Sequence, residues 1–580
     1  MNMNLIPVLL AGLLAGAAQA AEPPPYGSKD FYPSAERPIG YRGDGTGHSP
    51  GATPPLEFSE KDGKNVLWSI KMPNWGQSSP VVVGKRVITM AEPDTTICVD
   101  ADTGKVLWQD ALGLFPKLVL DPENTKESGK YIFLWCGHGY SWPCSDGERV
   151  VKAWISGKSK GGATAALVCY EVATGKRLWL IEFSGDHRTH KFTYEAGRWA
   201  WRNSEGAAAT VQHSDWAPSG FASPQMYGDT VIYQARGARP VLVALDTKTG
   251  AQRWVSPPSV FGVSGSDANF LVLKVASRDV LVTNIGTVLD PKTGKVLGGA
   301  IPSVERDGER VSRLWGAMET TPKGGVKVAG LSPITGPGAE GVVAFGPDWP
   351  RTDAAEPADT EPSGKGAYHY LAVRLGFDAQ GKLKTACLFP DRAVVPKLEY
   401  GNAHLTILKD RLIVMPGYGS SLAAIALDSG QLAVPPKQLW KKPRPADIKP
   451  DPNAPDIKAG LEEFGLTIAA VTEFGRGMGR NGYSSYSRTF VDGRGYIWTM
   501  NRQAQFYRID PAKDFAPELA GTLVHPACWT STWRKTRRSA RGSRPSSSAA
   551  WQHCRRNCPA CRVRASAPTG ARTAADWAST

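Results

Sequence analysis

Beyond its first twenty residues, this 580-residue chain has no stretch apolar enough to span a membrane. It also has no P-loop, so the common local mark of nucleotide hydrolases is missing. Nine cysteines occur without a directly adjacent pair and without Cys-x-x-Cys-His, which excludes c-type haem attachment. Acidic surplus is absent too, with a formal net charge of +14. That charge is unevenly spread. Residues 528–580 hold eleven Lys/Arg against one Asp, so +10 of it belongs to the tail.

What the chain does have is turn chemistry at regular spacing. Ser78 to Trp108 reads SSPVVVGKRVITMAEPDTTICVDADTGKVLW. β-Branched residues fill four short runs, and Gly84-Lys85, Glu92-Pro93-Asp94 and Ala101-Asp-Thr-Gly104 separate them at hairpin spacing. The last turn recurs. Asp100-Ala-Asp-Thr-Gly-Lys-Val-Leu-Trp108 is followed by Glu171-Val-Ala-Thr-Gly-Lys-Arg-Leu-Trp179 and Asp246-Thr-Lys-Thr-Gly-Ala-Gln-Arg-Trp254. Asp290-Pro-Lys-Thr-Gly-Lys-Val-Leu297 ends in Gly298 where the others have Trp. Weaker copies begin at Phe377, Leu427 and Ile509. In each, Asp and Thr side chains can cap backbone N–H groups, Gly accepts positive φ, and the Trp can fill the gap between neighbouring units. Unit starts are legible at Ser79-Pro80, Trp142-Pro143 and Ser223-Pro224.

A four-stranded unit repeated every ~40–50 residues predicts radial closure, an all-β fold of β-propeller type. Starts near 79, 142, 223, 269, 312, 402 and 485 give seven blades, or eight if residues 300–400 conceal two. The motif set resembles the pyrroloquinoline-quinone-like (PQQ-like) repeat superfamily, which includes the quinoprotein alcohol dehydrogenases and the outer-membrane barrel-assembly lipoprotein. The opening Tyr41-Arg-Gly-Asp-Gly-Thr-Gly-His48, Pro54-Pro55-Leu56 and Lys64-Asn-Val-Leu-Trp68 resembles large exported PQQ-like proteins of bacteria. The resemblance covers about residues 40–515 and speaks to fold more than to activity.

Residues 1–20 read as a signal peptide: Leu5 to Ala18 is apolar but short, and Ala18-Gln19-Ala20 is a cleavage pattern, although the n-region lacks Lys and Arg. No Cys stands at the cut, so a periplasmic or secreted protein is expected, not a lipoprotein. Residues 21–64, rich in Pro and Gly, read as an extended segment over the surface. The propeller is expected over 65–527, with Asn65 to Met72 an isolated strand that completes the last blade. Residues 528–580 read as a basic tail without strand alternation. The charge suits a nucleic-acid arm or plain unstructured sequence, and an exported propeller has no evident use for the arm, so no nucleic-acid partner is expected.

Cys98 and Cys169 sit in strand-like runs and read as small core residues. Cys136 and Cys144 could pair in an oxidising compartment. Cys554, Cys558 and Cys561 beside His553 have partial zinc spacing, but a tail supplies no supporting shell. His138, His187, His190 and His213, with Asp186 or Asp215, could bind a transition metal if their loops converged; solvated loop histidines are the plainer reading. What the resemblance implies for chemistry is quinone-dependent alcohol oxidation with a calcium ion held by carboxylate and amide oxygens. No matched ligand set can be placed, and no catalytic, cofactor-binding or metal residue is assigned. The expected function is therefore a binding or interaction scaffold for a protein or glycan, with no cofactor and with the oligomeric state open. The alternative is a PQQ- and calcium-dependent dehydrogenase of alcohols or sugars.

Overall fold

The computed structural model describes residues 23–70, 72–73, 78–91, 94–113, 141–155, 165–183, 191–195, 198–202, 218, 222–235, 241–258, 260, 269–301, 303–306, 309–312, 333–337, 339–348, 368–389, 393–395, 403–416, 421–440, 489–500 and 505–522. The signal peptide, the tail, Cys136 and all four loop histidines lie outside them. Within them, seven antiparallel four-stranded blades form a ring, with no α-helix.

Blade 1 is Val81–Val83, Arg86–Ala91, Thr95–Asp100 and Val106–Ala111, the four runs expected from the sequence. Blade 2 is Cys144–Ser145, Arg149–Ile155, Ala165–Glu171 and Arg177–Phe183. Blade 3 is Gln225–Tyr227, Thr230–Ala235, Val241–Asp246 and Gln252–Val255, and blade 4 is Leu271–Val275, Arg278–Val282, Thr287–Leu289 and Val296–Gly299. Blade 6 is Ala403–Leu408, Arg411–Pro416, Ser421–Ala426 and Leu432–Gln438, and blade 7 is Phe490–Asp492, Ile497–Met500, Gln505–Asp510 and Ala516–Thr522.

Residues 300–400 hold one blade, so the count is seven. Its start is not near 312, because Ser303–Arg306 and Glu309–Ser312 form a separate hairpin. Blade 5 begins where Ile334 bridges Ala344, continues through Val342–Asp348 and Tyr368–Phe377, and splits its last strand into Leu383–Cys387 and Ala393–Val395.

The repeated turn works as its residue types require. The Asp100 carboxylate accepts from the Thr103 N–H at 2.8 Å and the Thr103 hydroxyl at 2.8 Å, and Asp246 accepts the same pair from Thr249. Gly104 and Gly175 adopt φ of +71° and +74°, where a Cβ would be strained. The same one-residue bulge then follows in five blades, setting Cys98 opposite Trp108, Cys169 opposite Trp179, Ala244 opposite Trp254, Val288 opposite Gly298 and Ala424 opposite Val434. Each Trp lies on the turn glycine of the next blade: Trp108 on Gly175, Trp179 on Gly250, Trp254 on Gly294. Trp108 Nε1 donates to the Val172 carbonyl at 3.0 Å and Trp179 Nε1 to Thr247 at 2.9 Å.

Asn65–Ile70 is not a strand, and blade 7 is completed by its own four strands. The reason lies in Trp68. It takes the place of a last-strand Trp, resting on Gly104 of blade 1 and donating Nε1 to Ala101 at 2.7 Å, while Phe58 behind it bonds Ala520 of blade 7. The N-terminal segment thus wedges the closing seam without joining a ladder there.

Candidate functional site

Antiparallel blades have two unlike faces. Links between first and second strands, and between third and fourth, share one face and are tight turns such as Gly84-Lys85 and Ala101–Lys105, the longest being that of blade 5. Links between second and third strands, and from blade to blade, share the other face, and the longest of all (residues 112–143, 184–224, 349–367 and 439–489) start and end there. Variable binding residues concentrate on such insertions.

The turn face is crossed by the chain's own N-terminal segment. Tyr32 donates its hydroxyl to the Gly147 carbonyl at 2.9 Å, and the Ala35 carbonyl accepts from Gly228. Ile39 and Ser145 of blade 2 then exchange two backbone bonds of 2.9 and 2.8 Å. Residues 40–48 turn into the axis. Gly40 sits on Cys144, Gly45 approaches Leu271 of blade 4, and His48 Nε2–H donates to the Ile407 carbonyl of blade 6 at 2.7 Å. His48–Ser49 then runs parallel to Val491–Asp492 of blade 7. One short knob therefore touches the innermost strands of blades 2, 4, 6 and 7. Residues 21–64 were expected to run over the surface, yet His48 is buried in the axis, and Phe31 and Ile39 pack into the core between blades 1 and 2.

Seen from the loop face, this knob is a floor. Tyr41 packs against Trp142 with ring centroids 5.3 Å apart. Asp44 remains exposed to solvent while protein crowds it closely enough to push its carboxyl above the usual range, with Thr46 hydrogen bonds pulling the other way. Burial lowers the Arg42 guanidinium, with Tyr41 and Asp44 opposing. The rim is a chain of inter-blade bonds: Ser78 Oγ donates to Ser141 O at 2.9 Å, Trp142 N to Ser223 Oγ at 2.9 Å, and Ser223 N to Asn269 Oδ1 at 2.8 Å.

Lys152 is fully buried behind this rim. Its Nζ donates to Ser141 Oγ at 2.9 Å and to the Ser141 carbonyl, 5.1 Å from the Trp154 ring centroid. Turn register puts Thr89 and Tyr233 at the same position of blades 1 and 3, so a lysine here departs from the repeat. Sequence reading passed over both groups. The signals were a lone Lys inside Val150-Val-Lys-Ala-Trp154 and a carboxylate among four glycines in Gly40–Gly47.

Of the residues singled out earlier, Cys98 and Cys169 are buried core thiols as expected. Burial pushes the Cys98 thiol up to about 11, as it does, further, that of Cys169. Cys144 is a buried free thiol. Among the described residues no three His, Cys, Asp or Glu side chains come together to hold a metal. Nor is any helix there long and apolar enough to cross a membrane.

A family model described as outer membrane protein assembly factor BamB matches residues 51–134 and 136–323. Over those residues the chain carries PQQ-like repeats. The polyvinylalcohol dehydrogenase of Sphingopyxis sp. (strain 113P3) is 30% identical over 164 residues, 27% of this chain. That match spans 22% of the relative's length. Similar solved structures include a europium-containing methanol dehydrogenase (14% identity, TM-score 0.35, 63% of this chain and 69% of that one). BamB from Moraxella catarrhalis is another (16% identity, TM-score 0.28, 60% and 72%).

Proposed function

We propose that this PQQ-like propeller is a binding scaffold that receives a protein or glycan partner at the loop face, over the recess floored by Tyr41, Arg42 and Asp44. One observation carries this: the knob at residues 40–48 enters the axis from the turn side and meets the innermost strands of blades 2, 4, 6 and 7, so a partner would come from the loop side. Carboxylate, hydroxyl and indole groups around one recess suit polar ligands with apolar faces. An extracytoplasmic location goes with this reading and rests on the leader pattern of residues 1–20.

Site-specific photo-crosslinking tests it. A photoreactive side chain at Trp142 or Gln225 should capture one discrete partner in the source cells, and the same group at Lys248 on the turn face should not. Capture from Lys248 alone overturns the reading.

The second reading, a quinone-dependent dehydrogenase, draws support from the stretch shared with polyvinylalcohol dehydrogenase. A quinone held by calcium takes several carboxylate and amide oxygens. Asp44 is the one carboxylate described at the floor, and the rim Ser and Asn groups are spent on inter-blade bonds. The described residues do not fit that group, and no redox step is derived. Adding quinone with calcium and following cofactor absorbance separates the readings.

A further inference from the structure

Two hairpins belong to loop-face links and lie outside every blade, and they are built differently. Lys191–Glu195 and Arg198–Arg202 pair within the link of residues 184–224, which leaves blade 2 and enters blade 3. Ser303–Arg306 and Glu309–Ser312 pair in the link from blade 4 to blade 5. Neither hairpin joins a larger sheet, and among the described elements no blade strand packs along either one. Register assigns the faces of the first. Phe192 stands opposite Trp201 and Tyr194 opposite Trp199, and with a side-chain period of two these four aromatic residues share one face. On the other face Glu195 stands opposite Arg198, but Lys191 stands opposite Arg202, a like-charge pair that weakens the ladder. The second hairpin has neither feature: Val304 stands opposite Val311, and Glu305 and Arg306 stand opposite Arg310 and Glu309. An insertion at this face can therefore pair without a single aromatic residue and with its charges matched. The first hairpin departs from that on both counts, towards stacking and towards an unbalanced positive charge.

Aromatic faces take up flat rings, and Tyr and Trp add an O–H and an N–H for the polar groups around those rings. Between Lys191 and Arg202 an anion would turn repulsion into attraction. In a two-stranded ribbon each strand is an edge, so long basic side chains are within reach of a polymer lying along the aromatic face. We propose that this hairpin binds an acidic carbohydrate chain, its sugar rings on the face of Phe192, Tyr194, Trp199 and Trp201 and its carboxylates at Lys191 and Arg202. The proposal rests on the loop-face scaffold reading and names the partner's chemistry. Single-stranded nucleic acid offers rings and negative charge as well, but the leader pattern of residues 1–20 goes with an extracytoplasmic site, where carbohydrate is the polymer met.

Titration calorimetry on the full chain in physiological salt tests this with three probes: a galacturonate hexamer, cellohexaose and a dT hexanucleotide. Galacturonate should bind most tightly, and Trp199→Ala or Trp201→Ala should weaken it about tenfold each. Trp199→Phe, which keeps a ring, should lose far less. Lys191→Gln combined with Arg202→Gln separates binding from folding. Relieving the like-charge pair steadies the ladder, so a hairpin with a structural role alone would bind galacturonate as well as before or better. The proposal expects the opposite, binding about tenfold weaker, with cellohexaose unaffected. No binding of galacturonate, binding that survives both Trp substitutions, or tighter binding of the oligonucleotide overturns the proposal. Partner capture at Trp142 without galacturonate binding would strike the hairpin and leave the scaffold reading standing; hairpin-dependent binding without capture would do the reverse.

Discussion

The seams that enter blades 1 to 4 share one solution, and those that enter blades 5 to 7 each have their own. In the first set a Trp covers the turn glycine of the next blade, from Trp68 on Gly104 to Trp254 on Gly294. At the seam into blade 5 the register slot holds Gly298, against which Leu383 leans, and Gly381 on blade 5 is exposed, with no atom within 4 Å of where its Cβ would be. Phe389 covers Gly430 at the next seam, and Trp440 stacks on Tyr507 at the one after, with centroids 4.9 Å apart. Blades 4, 5 and 6 compensate by sharing one continuous apolar core, from Leu271 to Leu427. A wedge is thus a replaceable part of the repeat. Half of the ring is held by repetition, and half by particular packing and the N-terminal knob.

Truncating a wedge is the most forceful way to break this comparison. Trp179→Ala removes a half-buried indole and strands the Thr247 carbonyl it bonds, which should cost about 3–4 kcal/mol. Leu383→Ala at the seam without a wedge should cost less than half as much, because Leu383 only partly fills its slot. Urea midpoints of the two variants decide it; equal losses would mean that the indole has no special part.

On the improvised side, the knob should make stability depend on acid. Burial, with Arg42 beside it, lowers His48 to about 4, while the Ile407 carbonyl opposes the shift. Unfolded, the imidazole titrates near ~6.5. The folded form therefore favours neutral His48: the contribution is full above pH ~6.5 and drains away as pH falls towards 4, roughly 3 kcal/mol in all. His48→Gln should flatten that limb of the urea-midpoint profile between pH 7 and 4. A slope that survives the substitution would assign the acid sensitivity to other groups.

How much could be read in advance follows the same division. Blade 1 was legible strand by strand, because Gly84, Pro93 and the Asp100–Gly104 turn mark its ends and local chemistry alone sets them. Seven blades were countable for that reason. The start of blade 5 was missed, since its first strand is reduced to one bridge at Ile334 and Glu309–Ser312 has the alternation of a strand without belonging to a blade. Asn65 to Met72 misled in the opposite way: Val66-Leu67-Trp68 copies the end of a blade, but Trp68 keeps only the packing role. The floor of the site was invisible because it depends on which blades Gly45 and His48 meet, and contacts over more than 350 residues leave no local pattern. Repetition advertises itself, and single long-range contacts do not.

The smallest effect is the most discriminating. Gly175 and Gly381 have φ of +74° and +73°, so an alanine at either pays the same left-handed strain, about 1–2 kcal/mol. Their neighbours differ. A Cβ on Gly175 would fall 2.5 Å from Trp108 Cδ2, and on Gly381 it would meet open space. Gly381→Ala should therefore show the backbone strain alone. Gly175→Ala must also push the Trp108 ring off the blade 2 turn, stretching its bond to Val172, and should cost about 1–2 kcal/mol more. Subtracting the two removes the backbone and leaves the seam. If Trp108→Ala then makes Gly175→Ala as cheap as Gly381→Ala, the excess belongs to the wedge; if the excess persists without the indole, the two halves of the ring are closed by the same forces and the contrast between them fails.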